Sequence, residues 1–176
     1  MSSFHLHNEH DKVGDVIRKL DEGLDVALVS DAGTPGISDP GFLATRAAHQ
    51  AEHTVCAIPG PSAALTALVA SGLPCDRFVF EGFLPPKKGR QTRLKALQNE
   101  PRTLIFFESP FRIVKLLAEL SAALGGERLA CVGRELTKKF EEVKRGDLNS
   151  LHQDFSTRDS IKGEFVLVVA GSEYSE

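Results

Sequence analysis

Two apolar runs, each ending abruptly in a loop of glycine, proline and hydroxyl residues, constrain this chain more than any other feature. The first reads VALVSDAGTPGISDPG over residues 26–41, and the second reads VCAIPGPSAA over residues 55–64. A continuous apolar run such as Ala27, Leu28 and Val29 suits a parallel strand covered on both faces. In open α/β sheets, ligands bind beyond the carboxyl ends of such strands, which is where residues 30–38 would lie. Gly33, Gly36 and Gly41 permit unusual backbone angles and close approach, while Asp31, Thr34, Ser38 and Asp39 offer polar contacts. A plain turn with a helix cap is the alternative, but the loop is longer than the roughly two to six residues that a strand-to-helix connection needs. It carries neither GxGxxG nor the P-loop pattern, so neither a dinucleotide nor a nucleoside triphosphate is indicated.

Helical and strand-like segments alternate along the rest of the chain. Val13, Val16, Ile17 and Leu20 recur at helical spacing before Gly23, and a strand starting at Val26 follows. Asp39 can cap, and Pro40 can begin, a helix through Phe42, Leu43 and Ala47 that leads to a strand at Val55, Cys56, Ala57 and Ile58. A helix over residues 63–70 is apolar on nearly every face and is expected to be buried. The texture changes near Leu73, and a boundary is placed there, dividing an N-terminal α/β domain over 1–74 from a C-terminal α/β domain over 75–176. In the second domain, strands are expected at 78–83, 103–107, 129–132 and 164–170. Helices are expected over 87–98, with Leu94 and Leu97 inward, and over 148–155. Another, capped by Ser109 and started by Pro110, carries Ile113, Leu116, Leu117 and Leu120.

Charge and cysteine content narrow the classes of function. A chain of 176 residues that is 41% hydrophobic can build a real core. A net charge of -3 gives no global attraction to polyanions, so any such contact needs a local patch. PPKKGRQTRLK supplies one, with Lys87, Lys88, Arg90, Arg93 and Lys95 in a short segment. A solvated helix face is its simpler reading, and contact with RNA phosphates is the functional one. Cys56, Cys75 and Cys131 are widely spaced and form no CxxC pair, which argues against a disulfide framework or zinc ribbon and suits a reducing cytoplasm. No apolar run approaches the ~20 residues of a membrane-spanning helix, so no membrane partner is expected.

Other clusters carry weaker chemical signals. His5, His7, Glu9 and His10 could suggest a metal site, but no matching ligand set follows, and a polar loop before a helix explains them equally well. Ser62 and Ala63 stand where free helix N–H groups could meet a carboxylate. GPS does not match the GxSxG nucleophile elbow, which removes a serine hydrolase. Glu108, Ser109 and Arg112, like Arg134, Glu135 and Thr137, stand at strand ends, with structural ion pairing as the default reading.

In order along the chain, SDAGTPGISDPG, IPGPSAALTALVASGLP, GFLPPKKGRQTR, TLIFFESPFRI, GRELTKKFEE and KGEFVLVV resemble the ribosomal RNA small subunit methyltransferase I family of the tetrapyrrole methylase superfamily. Six ordered motifs are far more specific than any one of them. The resemblance implies a two-domain α/β fold, with a mostly parallel sheet in the N-terminal part and a mixed sheet in the C-terminal part. It also implies S-adenosylmethionine folded into the cleft between domains, usually in a homodimer, and 2'-O-methylation of a cytidine in small-subunit ribosomal RNA. The cofactor loop then falls on Asp31, Ala32, Gly33, Thr34 and Ile37, with further contacts at Ser62, Ala63, Phe107, Leu136, Thr137, Gly163 and Glu164. Lys87, Lys88, Arg90 and Arg93 would face the RNA, and Asp39, Glu108 and His7 are candidates to orient or deprotonate the ribose hydroxyl. Family members normally begin with a strand and a loop of the type PTPIGNL, then a helix and a second strand, before the HNE segment. They also commonly carry a helical tail after KGEFVLVV, so this chain is expected to be a fragment. Phe111 stands where the family usually shows His. The alternatives are a precorrin C-methyltransferase of the same superfamily, which PPKKGRQTR and ESPFR argue against, and a non-catalytic binding or scaffold domain.

Overall fold

A computed structural model describes residues 3–5 and 8–175. The backbone divides into two compact units, Met1–Ser62 and Ala63–Glu176. The division falls earlier than the expected boundary at 74, because the helix after Ser62 packs on the sheet of the second unit.

The first unit contains helices α1 (Glu9–Asp21) and α2 (Phe42–Gln50), which pack on each other. Gly23, at φ +78°, follows the end of α1 as its place in the sequence predicts. The parallel strands expected at residues 27–29 and 55–58 do not form: both segments lack strand pairing among the described residues, and Val29 and Ile58 are 76% and 80% exposed. Strand character depends on a neighbour that completes the backbone hydrogen bonds, and apolar composition alone does not supply one. α2 also starts differently from expectation. Gly41, at φ +146°, occupies the N-cap position without a side-chain cap, so neither Asp39 nor Pro40 opens the helix.

The second unit is a mixed five-stranded sheet between two layers of helix. In chain order it comprises α3 (Ala63–Ser71), β1 (Phe78–Phe83), α4 (Arg90–Ala96), β2 (Thr103–Glu108), α5 (Ile113–Leu124), β3 (Leu129–Arg134), β4 (Glu142–Asp147), α6 (Leu148–Ser156) and β5 (Phe165–Val169). The sheet order is β1-β2-β5-β3-β4, with β1 and β2 parallel and the other neighbours antiparallel. Alternation along the strands sorts side chains to two faces. Leu104, Phe106, Val132 and Leu167 join Leu94, Leu116, Leu120, Leu151 and Phe155 on the face that carries α4, α5 and α6. Ile105, Cys131, Val166 and Val168 meet Ala64, Ala67 and Leu68 of α3 on the other.

Three further expectations are corrected. α3 buries only Ala64, Ala67, Leu68 and Ser71, leaving Leu65 and Val69 half or more exposed rather than covered on every face. α5 begins at Ile113, not Pro110. Residues 109–112 form a turn in which the Arg112 and Ile113 N–H groups both donate to the Ser109 carbonyl. β4 is a strand that the apolar pattern did not show, because its sequence EVKRGD is that of an exposed edge.

Candidate functional site

In the first unit, the loop over 30–41 is folded on itself by its own polar groups. Ser30 Oγ lies 3.2 Å from the Ala32 carbonyl oxygen and 3.1 Å from that of Gly33, and can donate to either. Thr34 Oγ1 donates to the Pro61 carbonyl at 3.1 Å, joining this loop to the second Gly/Pro loop. Gly33 (φ +74°) and Gly36 (φ +82°) supply left-handed conformations, and Ser38 (φ +59°) adopts one despite its side chain. At Gly41 a Cβ would lie 2.8 Å from Leu28 Cδ2 and 3.2 Å from the Gly36 nitrogen, so the backbone approaches as closely as glycine allows. Asp31, Ala32, Gly33 and Ile37 are exposed along the loop, while Thr34, Asp39 and Ser62 are half-buried.

Glu9 is the residue of this unit whose role sequence reasoning missed. It is buried, and its Oε1 accepts the Gly41 N–H at 2.9 Å and the Leu43 N–H at 3.0 Å. It therefore caps α2 from a distant helix, and fixes the end of the loop at the same time. The only sequence signal was an acidic residue after Asn8 in HNE, which the eye groups with the histidines. His7 lies outside the described residues.

The second unit brings its candidate cofactor residues to one end of the sheet. Strand register puts Phe83, Glu108, Arg134, Glu142 and Phe165 at that end, since Phe83 pairs with Phe107, Glu108 with Phe165, and Arg134 with both Phe165 and Glu142. α3 leads through a short turn into β1, so it runs back along the sheet, and Ala63 opens it toward this same end. Phe107 lies on the α3 face, edge-on to Phe80 at 5.1 Å and Phe83 at 5.7 Å between ring centroids. Leu136 packs on the same cluster and lies over Gly133, where a Cβ would come within 3.0 Å of it.

Beside Leu136, two loops are clamped together. The Glu135 N–H donates to the Glu164 carbonyl at 3.0 Å, and the Glu164 N–H donates back to Glu135 Oε1 at 2.9 Å. That backbone bond, helped by Lys138, holds the Glu135 carboxyl below the usual carboxylate range. Gly163 (φ +100°) makes room for the clamp, since a Cβ there would sit 2.5 Å from Glu135 Cγ. Glu135 (φ +48°) and Thr137 (φ +65°) are both left-handed, a concentration of backbone strain of the kind found at ligand sites.

The basic segment is divided by the structure. Lys87 and Lys88 are exposed in the loop before α4, which starts at Arg90 rather than 87. Arg90 is only 4% exposed and turned inward: its Nε donates to Glu119 at 2.7 Å and its Nη1 to the Pro85 carbonyl at 3.2 Å, while Nη2 lies 3.9 Å from Glu108. Arg93 forms a two-pronged pair with Glu81, whose hydrogen bonds push the guanidinium pKa further up. Glu81 stands where the register of β1 on β2 shifts, between Phe80 and Gly82. Of the four residues expected to face RNA, Arg90 is thus internal and Arg93 already has its carboxylate. A shallow cleft of about 500 Å³ beside the lysine loop is lined by Phe83, Pro85, Gly89, Thr92 and Arg93.

Glu108 lies on the opposite face from Phe107, as consecutive strand residues must. Its Oε1 accepts the Ser109 N–H at 2.7 Å and pairs with Arg112 Nε at 2.8 Å, and its side chain is fully buried. These partners tie Oε1 to the turn over 109–112, while the buried Oε2 faces Arg90 Nη2 at 3.9 Å as an ion pair without a hydrogen bond.

The family model described as Tetrapyrrole (Corrin/Porphyrin) Methylases matches residues 2–152. The chain belongs to that family. A Pseudomonas aeruginosa protein named ribosomal RNA small subunit methyltransferase I is 49% identical over 179 aligned residues, which take in 100% of this chain and 63% of the relative. The chain therefore spans about three fifths of the length of that relative. Among solved structures, the methyltransferase CobJ superposes with a TM-score of 0.69 at 20% identity, covering 94% of this chain and 72% of its own. A uroporphyrin-III C-methyl transferase from Thermus thermophilus, solved in complex with S-adenosyl homocysteine, gives 0.60 at 15% identity, covering 93% and 74%. At such identities these two structures establish the tetrapyrrole methylase fold. None of the helices among the described residues is long and apolar enough to cross a membrane.

Proposed function

We propose that the protein serves S-adenosylmethionine-dependent methylation of the 2'-hydroxyl of a cytidine in small-subunit ribosomal RNA, as a homodimer in the cytoplasm. The observation that carries this reading is the 49% identity, across the whole chain, to a relative named for methylation of that RNA. The residues present suit the cofactor. Phe107 and Leu136 offer an apolar surface for an adenine ring, and the positive φ of Thr137 beside Leu136 is backbone geometry of the kind found at ligand sites. Asp31, Thr34 and Ser62 would hold polar parts of the cofactor through their side chains, and Ala32, Ile37 and Ala63 only through backbone groups, with Gly163 and Glu164 shaping the clamp beside Leu136.

S-adenosylmethionine, when bound, supplies a methyl group already activated on a sulfonium. What is left to the chain is to hold the ribose oxygen in line with that methyl and to accept the hydroxyl proton. Asp39, half-buried at the end of the first loop, is the candidate for the proton. Glu108, buried and paired with Arg112, is better suited to positioning. Of the four basic residues expected to face RNA, Lys87 and Lys88 are exposed and can approach phosphates. Incubating small ribosomal subunits with protein and methyl donor, then digesting the RNA to nucleosides for mass spectrometry, should yield 2'-O-methylcytidine. Asp39→Ala should lower its rate of formation by about a hundredfold or more. Methyl groups on a base, or no transfer, would refute the reading. A fold neighbour named for C-methylation of uroporphyrin-III brings a second reading, C-methylation of a macrocycle, but at 15% identity it speaks only for the scaffold.

A further inference from the structure

Phe111 is 93% exposed, more than any other large apolar side chain among the described residues. It is not on a loosely tethered loop. Pro110 restricts the backbone before it, and the Arg112 and Ile113 N–H groups each donate to the Ser109 carbonyl at 3.1 Å. Beneath the turn, Glu108 holds the Ser109 N–H and the Arg112 side chain. An apolar ring held out in water at the tip of a tight turn contributes nothing to the core. The backbone that carries it is fixed in place for a flat partner.

The same buried carboxylate links this turn to the lysine loop. Arg90, beside Glu108 and Glu119, also holds the Pro85 carbonyl at the start of that loop. β1 and β2 are parallel neighbours, so the loops that leave their carboxyl ends lie side by side. One presents Lys87 and Lys88, the other Phe111. Exposed cations next to an exposed aromatic ring are the chemistry that grips single-stranded RNA, with phosphates on the lysines and an unpaired base on the ring. Resting on the ribosomal RNA reading above, we infer that Phe111 is a stacking platform for an unpaired base of the RNA substrate, and that Arg90 and Glu108 are positioning residues for this platform and the lysine loop.

The chain contains no Trp, so Phe111→Trp creates a single fluorophore at the proposed contact while keeping a stacking surface. A short single-stranded oligoribonucleotide carrying a dye should bind the wild-type chain. Phe111→Ala should weaken that binding about tenfold, whereas duplex RNA, whose bases are not available to stack, should bind both alike. Phe111→Trp should bind as well as wild type, and its emission should be quenched by the oligonucleotide. Because the ring is exposed, these substitutions remove no buried contact, and unchanged circular dichroism checks that. Unaltered affinity of Phe111→Ala, or unquenched emission at saturation, would overturn the platform while leaving the RNA reading in place. Failure of the wild-type chain to bind any RNA would overturn both.

Discussion

Glu9 shows how a single side chain can carry the geometry of a loop. Its Oε1 takes two N–H groups at the start of α2, and Gly41, one of the two donors, also closes the loop over Gly36 and Leu28. Glu9→Ala should leave both donors without their acceptor, costing about 1–2 kcal/mol locally. Hydrogen exchange at the Gly41 and Leu43 amides should then accelerate roughly tenfold, and unchanged protection would show that the cap has another source. At this scale the sequence was legible where backbone freedom was needed. Gly33, Gly36 and Gly41 all hold the left-handed or glycine-favoring conformations expected of a ligand loop. It was not legible where a partner is distant: nothing near Arg90 in sequence announces Glu108 or Glu119, and so a buried pair was read as an RNA contact.

Elements were legible in proportion to how many of their faces are buried. α5, with Ile113, Leu116, Leu117 and Leu120 fully buried, and the central strand β5 follow from their apolar spacing. β4 was missed because polar side chains hold it. Glu142 is paired with Arg158 and Arg134, and Lys144 with Asp154, while Arg158 also lies over the Phe155 ring at 3.8 Å. Hydrogen bonds from Arg158 keep the Glu142 carboxyl below the usual range, those from Lys144 and Arg158 lower Asp154, and the Ser150 N–H lowers Asp147 at the cap of α6. A carboxyl depressed in the folded state stabilises above its unfolded value, here 4.5 for Glu142 and 3.8 for Asp154, and loses that contribution as pH falls through the folded value. Melting temperature should therefore decline steeply below about pH 4.5. Arg158→Met should start lower at neutral pH but decline less on acidification, whereas an identical decline would remove the β4–α6 cluster from the account.

At the scale of the molecule, both units carry a piece of what the resemblance implied. The first holds the Gly/Pro loop locked by Ser30 and Thr34, and the second gathers Phe107, Leu136, Thr137, Gly163 and Glu164 at one end of a mixed sheet. The expected N-terminal parallel sheet does not form, because strand pairing is a property of neighbours that residues 27–29 and 55–58 do not find among the described residues. Membership of the tetrapyrrole methylases was visible from six motifs whose order along the chain is far more specific than any one of them. The central claim is that these loops are shaped for S-adenosylmethionine, and calorimetric titration of this chain with S-adenosylhomocysteine tests it most directly. Saturable one-site binding that Leu136→Asp weakens is the predicted result, and a titration with no heat beyond dilution would contradict it.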